Sequence, residues 1–265
     1  NKWEILGGMW VEPETNLVCG ESLIRQLIYG QKYYQEKFGE IAKVAWLPDS
    51  FGFTWQLPQI MQQCGIESFV TGKLHWNDTT KFPHGCFWWE SPDGTQLLTL
   101  MSPPNVTGVM DTNPITMANY GVDWEVQTGL QEIFWLPGVG DHGGGPTRDM
   151  LEVAAKWQNS PFFPQIEFAT ATDYLKRIGG VSDIKGNGAQ SRLSRLVWGE
   201  DAEEDQKKTQ GNAEGVEGIE EDKGITQHQF PIWQDELYLE LHRGCYTVHA
   251  DQKRYNRRCE RLLYE

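Results

Sequence analysis

Asp49 is a candidate catalytic residue because of its place in the sequence. It follows an apolar run from 41 to 47 that is interrupted only by Lys43. A run of this length, rich in β-branched and large residues, predicts a buried strand. Pro48 ends that strand because proline has no N–H to donate to a neighbour. Asp49 is therefore expected at the carboxyl end of a parallel strand, where α/β folds bind ligands and carry out catalysis. The alternative is that Asp49 only caps the helix that follows.

A lysine, a histidine and a tryptophan are expected at the same edge. Residues 68–71 predict the next strand, and a strand, a helix and a strand at this tight spacing are typical of a βαβ unit. Such a unit brings Lys73, His75 and Trp76, which follow the second strand, beside Asp49. Lys73 can equally be a solvated residue at a strand end, and His75 and Trp76 are the weaker candidates for ligand binding.

A glycine-rich loop after a predicted strand at 133–136 contains a second carboxylate, Asp141. Glycines allow a backbone to approach a ligand closely, so Asp141 either takes part in the chemistry or stabilises the loop. His142 either binds a substrate or is an ordinary loop residue, and binding is favoured. The loop lacks the Lys-Ser/Thr pair of a phosphate-binding loop, which disfavours a nucleotide site.

Arg243 ends the last predicted strand, 235–242, and is therefore expected on the same working face. Three roles remain open for its guanidinium: contact with substrate, stabilisation of the following turn, and pairing with an active-site acid. Pairing is favoured, because the planar guanidinium matches a carboxylate in two hydrogen bonds.

An ordered set of segments resembles family 38 of the glycoside hydrolases, the α-mannosidases. The nucleophile segment of that family is similar to Trp46-Leu47-Pro48-Asp49-Ser50-Phe51-Gly52, continuing through Leu57-Pro58-Gln59-Ile60 and Gly65-Ile66. The other matching segments are Gly8-Met9-Trp10-Val11-Glu12-Pro13, Gly20 to Gln26, Lys73 to Asn77, Phe87-Trp88-Trp89 with Asp93-Gly94-Thr95, Gly140 to Thr147, and Glu236 to Gly244. Together they span nearly the whole chain.

The resemblance implies a retaining enzyme that removes mannose from oligosaccharides. Retention requires two carboxyl groups about 5 Å apart, one attacking the anomeric carbon and the other protonating the leaving oxygen. Carried over by position, Asp49 is the nucleophile and also a zinc ligand, and Asp141 is the candidate acid–base residue. The candidate substrate-binding residues are Lys73, whose position is basic in relatives and faces the sugar, and His75, Trp76, His142 and Arg243.

Zinc is the cofactor that the resemblance implies, and most of its ligands lie outside this chain. The family supplies a His-x-Asp pair upstream of Gly8 and a further histidine downstream of Glu265. The His-x-Asp present here, His249-Ala250-Asp251, falls on a predicted helix, where residues i and i+2 point to different sides. With Asp49 as the remaining matched ligand, we expect weak or no specific zinc binding by this chain, although the full-length protein should bind zinc.

Composition favours one large α/β domain and a reducing compartment. The chain has 265 residues, and its five cysteines form no Cys-x-x-Cys pair, which favours the cytoplasm. A formal net charge of −14 disfavours nucleic acid as a partner. The chain has no signal peptide and no long apolar span, so a membrane is not expected. It starts without Met inside an apparent strand or turn, from which we expect a fragment of a longer protein, and a homo-oligomer is left open.

The predicted fold is α/β, a seven-stranded parallel barrel-like glycoside hydrolase domain incomplete at both ends. Residues 1–246 form this catalytic domain, and 247–265 begin a helical bundle. Residues 199–223 carry ten acids against three lysines and no aromatic residue, which predicts a mobile acidic insertion. The further element predictions are strands at 9–11 and 166–169, a hairpin turning at Asp93-Gly94, and helices at 20–38, 122–132, 147–157 and from Thr172.

Two other functions are alternatives to this one, and the residues disfavour the second. A carbohydrate-binding or catalytically inactive module would keep the fold without turnover, and Asp49 and Asp141 would then be dispensable. A different sugar-active enzyme, such as a deacetylase, would need a metal triad within these residues, and the sequence offers none. The isolated chain is expected to be inactive even where the full-length protein is an α-mannosidase.

Overall fold

The computed structural model describes residues 3–102, 109–140, 144–161, 164–179, 230–240 and 250–264. The strands are β1 (Val44–Leu47), β2 (Ser68–Thr71), β3 (Cys86–Glu90), β4 (Gln96–Met101), β5 (Val109–Met110), β6 (Gly138–Val139) and β7 (Ile232–Trp233). Five of them form one sheet in the order β1-β2-β4-β3-β7, and a second sheet pairs β5 with β6. The helices are α1 (Gly20–Phe38), α2 (Leu57–Gln63), α3 (Pro114–Thr128), α4 (Arg148–Gln158), α5 (Ala171–Gly179) and α6 (Ala250–Tyr264).

The large sheet is mostly parallel and is covered on both faces. Strands β1, β2 and β4 run parallel, β3 is antiparallel to β4, and β7 is parallel to β3. Successive residues of a strand point to opposite faces, so Phe69 packs in the cluster under α1 and α2, whereas Val70 packs in the cluster under α3 and α5. Burial on both faces explains why these strands are almost continuously apolar in sequence.

Helix α1 packs unusually close to the segment before it. A Cβ on Gly30 would lie 2.3 Å from the carbonyl oxygen of Gly8 and 2.7 Å from the backbone nitrogen of Trp10. Glycine at this point of the helix therefore permits a backbone contact that any side chain would prevent. The N–H of Trp10 donates to the carbonyl of Gln26 in the same helix, so the segment ahead of Glu12 is anchored to α1.

The hairpin between β3 and β4 confirms the prediction from Asp93-Gly94. Gly94 adopts a φ of +85°, which the turn requires. The Asp93 carboxylate accepts hydrogen bonds from the Ser91 hydroxyl at 2.6 Å and the Thr95 N–H at 3.1 Å. This turn lies at the end of the sheet opposite the carboxyl ends of β1, β2 and β4.

Several sequence-based elements are wrong. Residues 9–11 and 166–169 form no strand, and 166–169 are largely exposed. Residues 133–136 form no strand because their aromatic side chains, rather than a ladder, hold them: the Phe134 ring packs 5.2 Å from that of Tyr174. The described part of 235–242 forms a single bridge between Leu237 and Phe53.

Two helix starts also differ from the prediction. Helix α3 begins at Pro114 rather than at 122, because the Asn113 side chain accepts from the N–H groups of Ile115 and Thr116. Helix α5 begins at Ala171 rather than being capped by Thr172. The Thr170 hydroxyl caps the helix by accepting from the N–H of Asp173 at 3.1 Å, and the carboxylate of Glu4 accepts from the N–H groups of Ala171 and Thr172 at 2.8 and 2.9 Å.

The α/β class and a mostly parallel sheet are as expected, whereas the described strands do not close into a seven-stranded barrel. Helix α6 contacts the start of α1, since Glu260 accepts from the Ser22 hydroxyl at 3.0 Å. The domain boundary after residue 246 stays a prediction, and the acidic insertion 199–223 lies outside the described residues. Within the described ranges, no helix is both long enough and apolar enough to cross a membrane.

Candidate active site

The carboxyl ends of β1 and β2 bring Asp49 and Lys73 together, as the sequence predicts. The two strands pair in parallel with Leu47 opposite Thr71, so the residues that follow each strand emerge side by side. The Lys73 Nζ lies 2.6 Å from Asp49 Oδ1. The Asp49 side chain is 58% exposed and the Lys73 side chain only 7% exposed, so the carboxylate faces outward over a buried ammonium.

Two aromatic rings also contact the Lys73 ammonium. Its Nζ lies 4.6 Å from the ring centroid of Phe51 and 4.5 Å from that of Trp76, which are distances of cation–π contacts. An ammonium removed from water needs compensating charge and ring contacts of this kind. Lys73 is thus not the solvated strand-end residue of the alternative interpretation.

Asp49 does not cap the following helix. Helix α2 begins at Leu57, its N-cap is Gln56, and the N–H of Leu57 donates to the carbonyl of Thr54. Asp49 therefore lies too early in the chain to serve the first turn of α2. Its carboxylate is available at the sheet edge.

The turn after β1 is held by Glu12, which the sequence interpretation did not assign to the site. Glu12 Oε1 accepts the N–H groups of Asp49 at 2.6 Å and Ser50 at 2.9 Å, and lies 3.3 Å from the Ser50 hydroxyl. Although the residue as a whole is exposed, desolvation of its carboxylate raises the pKa of Glu12. The N–H of Asp49 opposes this rise, and the negative charge of Asp49 adds to it.

The far side of the same turn is fixed by Gly52 and Phe53. Gly52 has a φ of +104°, and its carbonyl accepts the Thr15 hydroxyl at 2.7 Å. Phe53 exchanges two backbone hydrogen bonds with Leu237, at 2.9 and 3.0 Å. Residues 49–52 are therefore held at both ends by hydrogen bonds with segments that are remote in sequence.

His75 links the ends of β2 and β4. It ends a short 3₁₀ turn, Lys73–His75, and its Nε2 lies 3.1 Å from the carbonyl oxygen of Ser102. Because a carbonyl only accepts, Nε2 carries the proton in this contact. Burial lowers the pKa of His75, and the bond to Ser102 partly opposes that effect. Trp76 is half-buried beside Lys73, and a substrate contact of either His75 or Trp76 stays a prediction.

Glu240 holds the loop that follows Trp76, and it too was missed from sequence. Its carboxylate accepts the Thr79 N–H at 2.7 Å, the Thr79 hydroxyl at 2.5 Å and the Thr80 N–H at 3.0 Å. Desolvation favours a higher pKa, but the hydrogen bonds from Thr79 and Thr80 outweigh it and hold the pKa of Glu240 well below its usual range. Neither Glu12 nor Glu240 has a local sequence signal, because each binds backbone groups far along the chain.

Asp141, His142 and Arg243 lie outside the described residues. The described residues on either side of the glycine loop are paired: Val139 and Gly144 exchange two backbone hydrogen bonds, at 2.8 and 3.1 Å. The separation between the carboxylates of Asp49 and Asp141 and the role of Arg243 therefore stay predictions.

The described residues do not by themselves make a zinc site. In the parts of the chain that the structure covers, no three side chains of the His, Cys, Asp and Glu types converge as a metal site would need. Asp49 Oδ1 is already engaged by Lys73.

Comparison with known proteins shows which family the chain resembles. The family described as "Glycosyl hydrolases family 38 N-terminal domain" matches residues 1–235. The chain is 35% identical to Alpha-mannosidase G of Dictyostelium discoideum over 97% of its own length and 20% of that protein. It is 32% identical to mouse Alpha-mannosidase 2C1 over 98% of its length and 21% of that protein.

The chain thus spans about a fifth of the length of these curated relatives. Among solved structures, an alpha-mannosidase from Enterococcus faecalis V583 superposes with a TM-score of 0.51 at 20% identity, over 67% of this chain and 20% of that chain. This likeness supports the fold alone. From the family match over most of its length, the chain belongs to the N-terminal domain family of the family 38 glycosyl hydrolases.

Proposed function

We propose that the protein containing this chain is a retaining α-mannosidase that acts on mannose-containing oligosaccharides, with Asp49 as its nucleophile. The observation that carries the proposal is the exposed Asp49 carboxylate at the carboxyl ends of parallel strands, paired with a buried lysine. The matched relatives are named alpha-mannosidases, and the chain belongs to a glycosyl hydrolase family.

The geometry suits attack from a fixed carboxylate. Lys73 holds Oδ1 and so limits rotation of the carboxylate, while Glu12 and Gly52 fix the backbone that carries it. In the proposed reaction an oxygen of Asp49 forms a bond to the anomeric carbon as the glycosidic C–O bond breaks. Asp141 gives its proton to the leaving oxygen, then takes a proton from the water that hydrolyses the glycosyl–enzyme bond.

The test uses full-length protein and an aryl α-mannoside. Asp49→Asn keeps the shape of the side chain but removes the nucleophile, so kcat/KM should fall on the order of 10³-fold or more. Asp123→Asn, an exposed position on α3, is the control and should leave activity unchanged. Proton NMR of the first-formed sugar should show the α anomer. Wild-type protein without hydrolysis, or full activity in Asp49→Asn, would instead indicate the sugar-binding or inactive module.

Zinc dependence is part of this proposal for the full-length protein, with Asp49 as the ligand from this chain. The resemblance places the other ligands outside the chain, so zinc titrated into the isolated chain should bind weakly. Structural zinc sites need about four ligands. Tight one-to-one binding by the isolated chain would show that its own residues replace the missing ligands.

We place the activity in the cytoplasm. Among the described cysteines, Cys19, Cys64, Cys86 and Cys259 have free thiols, which suits a reducing compartment. The barrel-like closure of the sheet is a further prediction for the whole protein, and a homo-oligomer is left open. Fractionation of the native protein and its molecular mass by light scattering test these two points of location and assembly.

A further inference from the structure

A short segment before α1 runs against the turn that carries Asp49. Glu12 Oε1 accepts from the N–H of Asp49 and the N–H of Ser50, and Thr15 donates to the carbonyl of Gly52. The Ser50 hydroxyl has one proton, which points to the Pro13 carbonyl at 3.0 Å or to Glu12 Oε1 at 3.3 Å. The turn therefore rests on side chains and carbonyls from a segment remote in sequence.

These contacts provide hydrogen-bond acceptors for backbone N–H groups that follow β1 and have no partner in a neighbouring strand. The ladder between β1 and β2 ends at Leu47, so the N–H groups that follow it have lost their strand partner. Two successive N–H groups directed at one point can share a single acceptor oxygen. Glu12 supplies this oxygen and thereby fixes the direction of the Asp49 Cα–Cβ bond.

The contact between Glu12 and the Asp49 turn brings two carboxylates close together, and their repulsion costs free energy. Repulsion from Asp49 is one of the effects that raise the pKa of Glu12. Lys73 supplies the compensating positive charge on the other side of Asp49, 2.6 Å from Oδ1. Glu12 therefore holds the backbone of the aspartate, while Lys73 holds its carboxylate.

We propose that Glu12 is a positioning residue for the catalytic turn: its Oε1 orients the Asp49 nucleophile by accepting the backbone N–H groups of Asp49 and Ser50. This inference rests on the proposed glycosidase function. It assigns no contact with substrate to Glu12. It requires the acceptor oxygen at the reach of a Glu side chain, and it does not require the negative charge.

Three substitutions in the full-length protein separate reach from charge. Glu12→Gln keeps the acceptor oxygen at the same distance, Glu12→Asp keeps the charge but shortens the side chain by one methylene, and Glu12→Ala removes both. With an aryl α-mannoside, we expect kcat to fall about 10- to 100-fold in Glu12→Ala and Glu12→Asp, with KM within about threefold, because misplacing a reacting group by about 1 Å costs up to about 100-fold. Glu12→Gln should recover most of the wild-type kcat.

Glu21→Ala is the matched control, since Glu21 pairs with Arg25 on the surface of α1 and should not affect kcat. If Glu12→Ala does not fold, the Gln and Asp variants still decide the question by their order. Wild-type kcat in Glu12→Ala, or a Gln variant as slow as the Asp variant, would overturn the positioning role. Wild-type protein that hydrolyses no α-mannoside would instead reject the proposed function.

Discussion

Asp49 and Lys73 meet at 2.6 Å because they follow two neighbouring parallel strands, each ending at the same edge of the sheet. The lysine side chain is buried, whereas the aspartate side chain is exposed. The ammonium is held by two rings as well as by the carboxylate, whereas the carboxylate retains access to solvent. The pair therefore fixes the Asp49 carboxylate without enclosing it.

Lys73→Met should lower the catalytic activity of the full-length protein and leave its free energy of unfolding nearly unchanged. The cation–π contacts contribute about 0.5–2 kcal/mol and a partly exposed ion pair about 0–1 kcal/mol, but a buried ammonium costs several kcal/mol in lost hydration. These effects nearly cancel, so the free energy of unfolding should change by less than about 1 kcal/mol. In the full-length enzyme kcat/KM should fall about 10- to 100-fold, because Asp49 loses the group that orients it.

Lys43→Met is the comparison for that variant. Lys43 also pairs with a carboxylate, Glu67 at 2.9 Å, but its side chain is 44% exposed. Urea unfolding and steady-state kinetics should find both properties within error of wild type. Equal loss of activity in the two lysine variants would show that the Asp49 pair has no special role.

Gly52→Ala should disturb the Asp49 turn through its backbone. A φ of +104° is strained for alanine, at about 1–3 kcal/mol. The new Cβ would also lie 2.8 Å from Asn16 Nδ2, although a flexible side-chain end can move aside. Both stability and kcat of the full-length enzyme should therefore fall, kcat by about 10-fold because residues 49–52 shift.

Gly94→Ala provides the control, as Gly94 also has a positive φ, +85°, with no atom within 4 Å of an added Cβ. It lies at the opposite end of the sheet, so the variant should lose stability but keep kcat per folded molecule. Thermal denaturation and active-site titration distinguish the two effects. A loss of kcat in Gly94→Ala equal to that in Gly52→Ala would reject a local role for Gly52.

The strand end at Asp49 and the Asp93-Gly94 hairpin were predictable because their signals are local. An apolar run followed by Pro48 ends a strand in almost any context. The Asp49–Lys73 contact follows from two consecutive strands in parallel order, which the sequence spacing indicates. Glu12 and Glu240 were not predictable in this way, because each accepts from backbone N–H groups that only the folded chain brings near.

The wrong strands have a related cause. Residues 133–136 are apolar and of the right length, but Phe134 packs edge-on against Trp46, with ring centroids 6.1 Å apart, and fills the space under the sheet as a side chain. For 133–136 the apolar content thus predicted partial burial without deciding whether the backbone joins the sheet, whereas most of 9–11 and 166–169 is exposed. In α3, by contrast, the Asn113 cap and the Pro114 start are local signals that the sequence does contain.

Gly30→Ala should be the most destabilising of the glycine substitutions. The added Cβ would meet three backbone atoms within 2.7 Å, and backbone cannot rotate away as a side chain does. Overpacking typically costs about 1–3 kcal/mol, and a clash with backbone belongs at or above the upper end. Gly20→Ala, in the same helix with nothing within 4 Å, should be neutral or slightly stabilising, by up to about 1 kcal/mol. Chemical denaturation of both variants checks this order, and similar stabilities would contradict the close approach of α1.

Glu240→Gln should change how stability depends on pH. Glu240 is 6% exposed, and its hydrogen bonds with Thr79, Thr80 and the neighbouring carboxyl of Asp78 outweigh desolvation and lower its pKa in the folded state. A carboxyl whose folded pKa lies below the unfolded value, about 4.3, stabilises fully above that pH and loses its contribution as the pH falls toward the folded pKa. Wild type should therefore melt at a higher temperature than Glu240→Gln at pH 7, and the difference should shrink below about pH 4.

Glu236→Gln, an exposed position in the same segment, should show no such difference at any pH. A gap between wild type and Glu240→Gln that stays constant from pH 7 to pH 3 would mean that shape, and not charge, makes Glu240 stabilising.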